Sequence, residues 1–145
     1  MTVFYFDAAH AFRLHQFIIV QSGGLSGVKD SGRIESILDH MQNDVYYPTF
    51  IDKLTHLVFS IIQFHAFNDG NKRASIGLGA YFLEINGFDY CIEHFIRELE
   101  NIVVWVAENR IDKVLLGRLL ESLTYDDEYD ESLKLDLLDA IDPLR

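Results

Sequence analysis

Two strongly apolar segments dominate the chain, and a polar turn separates them. Residues 57–64 are apolar on nearly every face, which is typical of a helix buried in the middle of a small domain. Residues 76–85 form a second apolar run that contains good helix-forming residues. The intervening residues 65–75 read His-Ala-Phe-Asn-Asp-Gly-Asn-Lys-Arg-Ala-Ser. The pattern therefore predicts a polar loop that joins the end of one core helix to the start of another.

Further amphipathic segments predict helices on both sides of this pair. Asp7 is a good N-cap for a helix that runs to about Val20, and Thr49 is placed to cap the central helix. Apolar residues at helical spacing predict three more helices, at about residues 32–41, 92–108 and 114–123. The sequence thus predicts a mainly helical domain.

Two details complete the predicted fold. Residues 2–6 alternate and are rich in β-branched and aromatic side chains, so we expect a short strand or an extended arm there. Gly77 and Gly79 lie inside a predicted helix, where each costs roughly 1 kcal/mol relative to alanine. We expect another backbone, that of the central helix, to approach them closely. The predicted fold class is all-α: six to seven helices around a buried central helix, with at most a short N-terminal strand or flap.

Composition excludes several classes of protein. A content of 49% hydrophobic residues with 11 phenylalanines excludes a disordered chain. The single cysteine, Cys91, excludes a disulfide framework. A net charge of −11 argues against direct nucleic-acid binding. The chain shows no signal-like N-terminal pattern and no apolar run of membrane-spanning length, so we expect a cytoplasmic protein that does not bind membranes.

The charge is concentrated near the C-terminus. Residues 125–145 contain eight acidic residues against Lys134 and Arg145, a net charge of −6. Leucines and an isoleucine are embedded among these acids, which predicts a short amphipathic helix. We therefore divide the chain into one domain, residues 1–124, and an acidic extension, residues 125–145, that is helical in part.

The polar turn also carries candidate chemistry. His65 lies where the first core helix ends, and an imidazole is well suited to accept a proton near neutral pH. Asp69 supplies a hard oxygen ligand, which suits Mg²⁺ carrying a nucleotide phosphate. Phe67, between them, is expected to point inward and to hold the turn in place. A lone histidine at a helix end is more often a cap or a packed residue, so His65 alone decides nothing.

The start of the second core helix adds a phosphate site. Gly70 and Asn71 lead into the helix, whose first backbone N–H groups lack intrahelical acceptors. Lys72 contributes a point charge, and Arg73 contributes a planar pair of donors. Cations oppose the positive end of a helix dipole, so their presence there calls for an anion. The order of these groups predicts a nucleotide-phosphate pocket beside a base.

Residues 65–73, His-Ala-Phe-Asn-Asp-Gly-Asn-Lys-Arg, resemble the signature of the Fic/Doc (Fido) superfamily. The adenylyl-transferring Fic branch has proline at position 66, glycine at 72 and arginine at 76. This chain has Ala66, Lys72 and Ile76 there, and the lysine resembles the Doc (death-on-curing) branch. The segments 22–38 and 82–88 also resemble the family, and the likeness covers about residues 3–122.

The resemblance implies a toxin of a toxin–antitoxin pair that is a kinase, with ATP as substrate and Mg²⁺ as cofactor. Its implied target is a threonine of translation elongation factor Tu, with arrest of translation as the outcome. An antitoxin of the Phd type is the implied restraint, through a disordered tail that folds onto the toxin. The loop before Tyr46 and Tyr47 is the implied flap for a target segment, although these tyrosines could equally be packing residues.

Two alternative functions remain open at this stage. Gly70 matches the Fic branch, where Doc proteins have alanine, so protein adenylylation is one alternative. A catalytically silent binding protein is the other. The acidic extension could cover the pocket at Lys72 and Arg73, dock an antitoxin or simply solubilise the chain, and we favour the last role. The oligomeric state does not follow from the sequence.

Overall fold

The computed structural model describes residues 1–27 and 31–144, and these residues form seven α-helices. In chain order they are α1 (Ala8–Ser22), α2 (Ser31–His40), α3 (Phe50–Phe64), α4 (Asn71–Ile85), α5 (Ile92–Ala107), α6 (Lys113–Tyr125) and α7 (Glu131–Ile141). A 3₁₀ turn, Asp89–Cys91, precedes α5. The predicted all-α class is confirmed. Within the described ranges, no helix is long and apolar enough to cross a bilayer.

Local capping explains where the helices begin. The Asp7 side chain accepts a hydrogen bond from the His10 N–H at 2.9 Å, which starts α1 as predicted. At the start of α3, the Asp52 N–H donates to the Thr49 hydroxyl at 3.1 Å, and the Thr49 N–H donates to the Asp52 carboxylate at 3.2 Å. This reciprocal capping box satisfies two N–H groups that the helix itself cannot pair.

Helix α3 is the buried centre of the bundle, as predicted. Of its 15 residues, 11 are buried, and it packs against α2, α4, α5 and α6. Helix α4 lies beside it and also contacts α1 and α5. The loop between α3 and α4 is therefore held at both ends by helices of the core, which fixes its position in the molecule.

The N-terminal arm is extended and pairs with a side chain instead of a strand. The Phe4 N–H donates to the Asn86 side-chain oxygen at 2.8 Å, and the Asn86 amide donates to the Phe4 carbonyl at 3.0 Å. One asparagine thus supplies the donor and the acceptor that a neighbouring strand would provide. Of the two predicted forms, the structure has the arm.

The prediction for the two glycines of α4 was wrong about what approaches them. A Cβ atom added at Gly77 would meet the side chains of Leu14 and Ile18 in α1, the closest at 3.2 Å. One added at Gly79 would lie 2.9 Å from the Phe95 ring and 3.1 Å from the Val58 side chain. Large side chains of α1, α3 and α5, and not a neighbouring backbone, fill the space that the glycines leave.

The C-terminal residues fold against α6. Leu133 is 5% exposed, and Arg118 in α6 pairs with Asp136 in α7 at 2.6 Å. The Ser122 hydroxyl in α6 also donates to the Glu128 carbonyl at 3.3 Å. Helix α7 therefore packs on the side of the bundle that α6 forms.

Candidate active site

The loop between α3 and α4, residues 65–70, which we call the signature loop, begins and ends with left-handed backbone. His65 ends α3 with φ 48° and ψ 54°, and Gly70 precedes α4 with φ 72° and ψ 22°. Glycine adopts this conformation without steric cost, whereas a histidine does so only where its surroundings hold it there. The two turns direct the chain out of one core helix and into the next within six residues.

Phe67 lies on the inner side of the loop and is completely buried. Its ring stacks on the ring of His15 in α1, with centroids 3.9 Å apart and planes 7° apart, and meets Phe12 edge-on. The Asn71 side chain holds the same residue from the other direction. Its oxygen accepts from the Phe67 N–H at 3.1 Å, and its amide donates to the Phe67 carbonyl at 3.0 Å. The Asn71 side chain is therefore engaged within the loop.

His15 was not singled out by sequence reasoning, yet it contacts the loop twice. It is 2% exposed, and its Nε2 lies 2.7 Å from the Asp69 carbonyl, so Nε2 carries the hydrogen that it donates. The sequence does contain a pattern that indicates a buried position for His15. His15 lies four residues from both Ala11 and Ile19, which are the other buried residues of α1, and so occupies its core-facing stripe.

The Asp69 carboxylate is held by two backbone donors. The Gly70 N–H donates to Oδ1 at 2.8 Å, and the Leu25 N–H donates to Oδ2 at 3.2 Å. These two bonds, the Gly70 bond foremost, lower the pKa of Asp69, so the group is a carboxylate at neutral pH. Each oxygen keeps a lone pair for a cation.

The glycine-rich segment after α1 lies against the signature loop. A Cβ atom at Gly24, where φ is 112°, would lie 2.6 Å from the Asp69 carboxylate, so only glycine fits there. The Asn68 N–H donates to the Gly27 carbonyl at 3.3 Å, and the Asn68 amide donates to the Ser26 carbonyl at 3.2 Å. Residues 28–30 of the predicted upstream segment lie outside the described residues.

The start of α4 presents unpaired donors. The first intrahelical bond runs from the Ala74 N–H to the Gly70 carbonyl at 2.8 Å, so the N–H groups of Asn71, Lys72 and Arg73 have no intrahelical acceptor. The Gly70 N–H is already used by Asp69. The amides that could hold a phosphate are thus the three that follow Gly70.

One cleft of about 280 Å³, which we call the signature cleft, is lined by most of the candidate residues. Its lining contains six of the seven predicted site residues, His65, Asp69, Gly70, Asn71, Lys72 and Arg73, whereas Phe67 is buried beneath them. His65, Lys72 and Arg73 are exposed. Tyr46 and Tyr47 do not line this cleft; Tyr46 is exposed, and the Tyr47 hydroxyl lies 3.2 Å from His40 Nδ1.

Comparison with known proteins places the chain in a family. The profile of the Fic/DOC family matches residues 5–83. A protein named "Protein kinase doc", from Escherichia phage P1, is 38% identical over 78 residues, which cover 51% of this chain and 61% of that protein. A protein named "Toxin Doc", from Mycolicibacterium smegmatis, is 32% identical over 94 residues, which cover 62% of this chain and 72% of that protein. The chain belongs to the Fic/DOC family, and to its Doc branch.

Proposed function

We propose that this protein transfers the γ-phosphoryl group of ATP to a hydroxyl group of a target protein. One observation carries the proposal: a single cleft is lined by an exposed histidine, a carboxylate, two cations and the start of a helix with unpaired N–H groups. Transfer of a phosphoryl group needs mainly positioning and charge stabilisation, and these are the groups that supply both.

The phosphates of the nucleotide would bind at the start of α4. The N–H groups of Asn71, Lys72 and Arg73 would donate to phosphate oxygens, and the helix dipole favours negative charge there. Lys72 would add a mobile point charge, and the Arg73 guanidinium would bind two oxygens at once. The burial of Phe67 and its contacts with His15 and Asn71 would keep these donors in place while the substrate binds.

His65 would act as the general base. Its imidazole accepts the proton of the target hydroxyl while the hydroxyl oxygen attacks the γ-phosphorus. The bond between that phosphorus and the bridging oxygen of the β-phosphate breaks, and ADP leaves. The left-handed turn at His65 supports this role, because it ends α3 and leaves the side chain exposed at the cleft.

Asp69 fits a magnesium ion that is shared with the nucleotide. Mg²⁺ commonly binds proteins through one or two carboxylates together with substrate phosphates, and the described residues offer no group of three metal-binding side chains that could hold an ion without a nucleotide. When bound, the ion would neutralise charge on the phosphate oxygens. Asp69 is ionised at neutral pH and is fixed by the Gly70 and Leu25 N–H groups, which suits this task.

Lys72 favours phosphoryl over adenylyl transfer. A lysine stands where the adenylyl-transferring branch has glycine, and its side chain would obstruct the tight amide turn that such a branch uses for its β-phosphate. The chain covers 61% of the phage P1 protein, whose name describes a kinase, and 72% of the mycobacterial protein, whose name describes a toxin. The first name supports phosphorylation as the reaction, and the second supports a toxin.

The partners follow from the same proposal. We propose a threonine of elongation factor Tu as the acceptor, with arrest of translation as the consequence. We also propose that an antitoxin of the Phd type restrains the protein. Both are tested by adding the purified partner to the reaction described next.

Labelled ATP tests the reaction directly. The protein is incubated with magnesium and with either α- or γ-labelled ATP, and cell extract or purified elongation factor Tu serves as acceptor. We expect label from γ-labelled ATP only. His65→Ala should abolish it, while His94→Ala, which alters a half-buried histidine of α5 outside the cleft, should retain it.

Each other result has a defined meaning. Label from α-labelled ATP would replace the kinase proposal by nucleotidyl transfer. Transfer that survives His65→Ala would remove His65 from the mechanism. Label in the extract but not in elongation factor Tu would keep the reaction and reject the target. No label in any acceptor, while ATP binding is detected by calorimetry, would favour a silent binding protein.

A further inference from the structure

The carbonyl group of Phe64 ends α3, and a side chain from another helix binds it. If the helix continued, this oxygen would accept a hydrogen bond from the Asn68 N–H, but that N–H donates to the Gly27 carbonyl at 3.3 Å. Arg33 in α2 takes its place, because its Nη1 donates to the Phe64 carbonyl oxygen. A guanidinium group from α2 therefore satisfies a carbonyl that α3 leaves unpaired.

The charge of Arg33 suits this position as well. The C-terminal end of a helix carries partial negative charge, and a cation there is stabilising. The last turn of α3 has no basic residue of its own. Arg33 thus supplies, from a neighbouring helix, both the donor and the charge that the end of α3 lacks.

Other basic side chains near this contact have different partners or carry no charge. Arg33 and Phe64 both line a cavity of about 540 Å³ outside the signature cleft. The lysine of that cavity is Lys113, whose Nζ lies 3.2 Å from His56 Nδ1. Burial, followed by the charges of Lys113 and His40, lowers the pKa of His56 to about 4, so this imidazole is uncharged at pH 7. Among the described residues around the cavity, Arg33 is the cation bonded to the end of α3.

The bonded carbonyl belongs to the peptide group that contains the nitrogen of His65. Its carbon is one of the four atoms that define φ of His65, and the peptide group is planar, so holding the Phe64 carbonyl fixes one side of that angle. The angle is 48°, which a histidine adopts only where its surroundings hold it there. On the other side, the Phe67 N–H donates to the Asn71 side chain at 3.1 Å. His65 therefore lies between two anchored parts of the backbone.

We propose that Arg33 is a positioning residue for His65. By holding the Phe64 carbonyl, it fixes the left-handed turn that places the imidazole at the signature cleft. Arg33 does not line that cleft, so it acts through the backbone and not on the nucleotide. Without the bond, the end of α3 could relax and the imidazole would be in place for a smaller fraction of the time. The inference rests on the proposed role of His65 as general base.

Two substitutions of Arg33 and one control test this. Arg33→Met removes the charge and the donors but keeps an unbranched apolar stem, whereas Arg33→Lys keeps a charge and a donor without the planar fork. Arg97→Met is the matched control, because Arg97 is an exposed arginine of α5 that lines neither cavity. Circular dichroism and urea unfolding establish that each variant folds.

The kinetic test uses single-turnover reactions with magnesium, γ-labelled ATP and the acceptor that the wild type labels. We expect Arg33→Met to lower the rate roughly tenfold or more. Its affinity for ATP, measured by calorimetry, should stay unchanged, because the donors at the start of α4 are intact. Arg33→Lys should recover part of the rate, and Arg97→Met should react like the wild type. A residue that only stabilised the fold would change the unfolding curve but not the rate per folded molecule.

A second measurement does not require activity. The ¹³Cα and ¹³Cβ chemical shifts of His65 report its backbone conformation, and we expect them to leave the values of left-handed backbone in Arg33→Met but not in Arg97→Met. If the wild type transfers no group, the proposed function fails, and these shifts alone decide whether Arg33 holds His65. Unchanged His65 shifts, or a wild-type rate in Arg33→Met, would overturn the inference. A loss of ATP affinity as large as the loss of rate would also overturn it, because Arg33 would then act on the nucleotide.

Discussion

At the scale of single residues, His15 couples α1 to the signature loop through two contacts that can be separated by mutation. His15→Phe keeps a ring to stack on Phe67 but loses the bond to the Asp69 carbonyl at 2.7 Å. A small displacement of reacting groups costs a large factor in rate. We therefore expect His15→Phe to lower the rate of the proposed phosphoryl transfer by roughly 10- to 100-fold, measured with γ-labelled ATP in single-turnover reactions.

A second histidine of α1 provides the control. His10 also stacks on an aromatic ring, that of Tyr81 at 4.2 Å, but the structure gives it no contact with the signature loop. His10→Phe should change the rate of transfer by no more than about twofold, because substitutions away from a site usually have small effects. His15→Gln, which keeps a donor, should recover part of the lost rate, whereas equal losses in His15→Phe and His10→Phe would show that His15 acts only through general stability.

His56 gives a prediction about pH and stability. Its pKa is about 4 in the folded protein, so between pH 6.5 and pH 4 the unfolded chain binds a proton that the folded chain does not. Stability must therefore fall as the pH falls through this window. Between pH 7 and pH 5 the wild type should lose about 2 kcal/mol more than His56→Phe, measured by urea unfolding at each pH. Parallel curves for the two proteins would refute the assignment.

Sequence reasoning found the contiguous residues that line the cleft, but it assigned no role to His15, which contacts the signature loop from α1. Residues 65–73 follow one another, so their chemistry could be read in order. His15 acts on Asp69, which is 54 residues away, and only the folded chain brings the two together. Likewise, the sequence could not show that the Asn71 side chain is engaged with Phe67, because that bond depends on the shape of the loop.

At the scale of helices, the two glycines of α4 should respond differently to the same substitution. At Gly79, a methyl group would lie 2.9 Å from the Phe95 ring and 3.1 Å from Val58, both in the packed interior. Two contacts this short place the cost of overpacking in the upper part of its usual range, at about 2–3 kcal/mol, which exceeds the gain of roughly 1 kcal/mol from helix propensity. Gly79→Ala should therefore lower the free energy of unfolding by about 1–2 kcal/mol, measured in urea.

Gly77→Ala is the matched comparison. Its nearest neighbour would be the end of the Leu14 side chain, at 3.2 Å, which can rotate away. The higher helix propensity of alanine then offsets the cost of moving the Leu14 side chain. We expect the free energy of unfolding to change by no more than about 0.5 kcal/mol. Equal destabilisation by both substitutions would contradict the proposed difference between a ring held in the core and a flexible side chain.

Helix boundaries were predictable where their causes are local. Asp7 and Thr49 bond to N–H groups three residues ahead, so the sequence contains both partners of each cap. The N-terminal arm is different, because Phe4 pairs with Asn86, 82 residues away. No pattern within residues 2–6 distinguishes a strand partner from a single asparagine side chain. The error about Gly77 and Gly79 has the same origin, since their neighbours belong to other helices.

At the scale of the whole molecule, the site and the C-terminal helix lie in different parts of one core. The signature loop connects α3 to α4, the two most central helices, whereas α7 packs on α6. The described residues that line the signature cleft include none from residues 125–144. The structure therefore gives no support to the option that the acidic extension covers the pocket at Lys72 and Arg73.

This arrangement predicts that stability and activity respond separately to changes in α7. Leu133 is 5% exposed and Leu135 is 60% exposed, so they form a matched pair on one helix. Leu133→Ala should lower the free energy of unfolding by about 2–3 kcal/mol, whereas Leu135→Ala should change it by less than about 0.5 kcal/mol. Both variants should carry out the proposed phosphoryl transfer at the wild-type rate per folded molecule, because neither residue lines the cleft. If Leu133→Ala, or a chain ending at Tyr125, transfers the group faster than the wild type, α7 must restrain the site. A helix that contributes only to stability would not raise the rate when its packing is weakened.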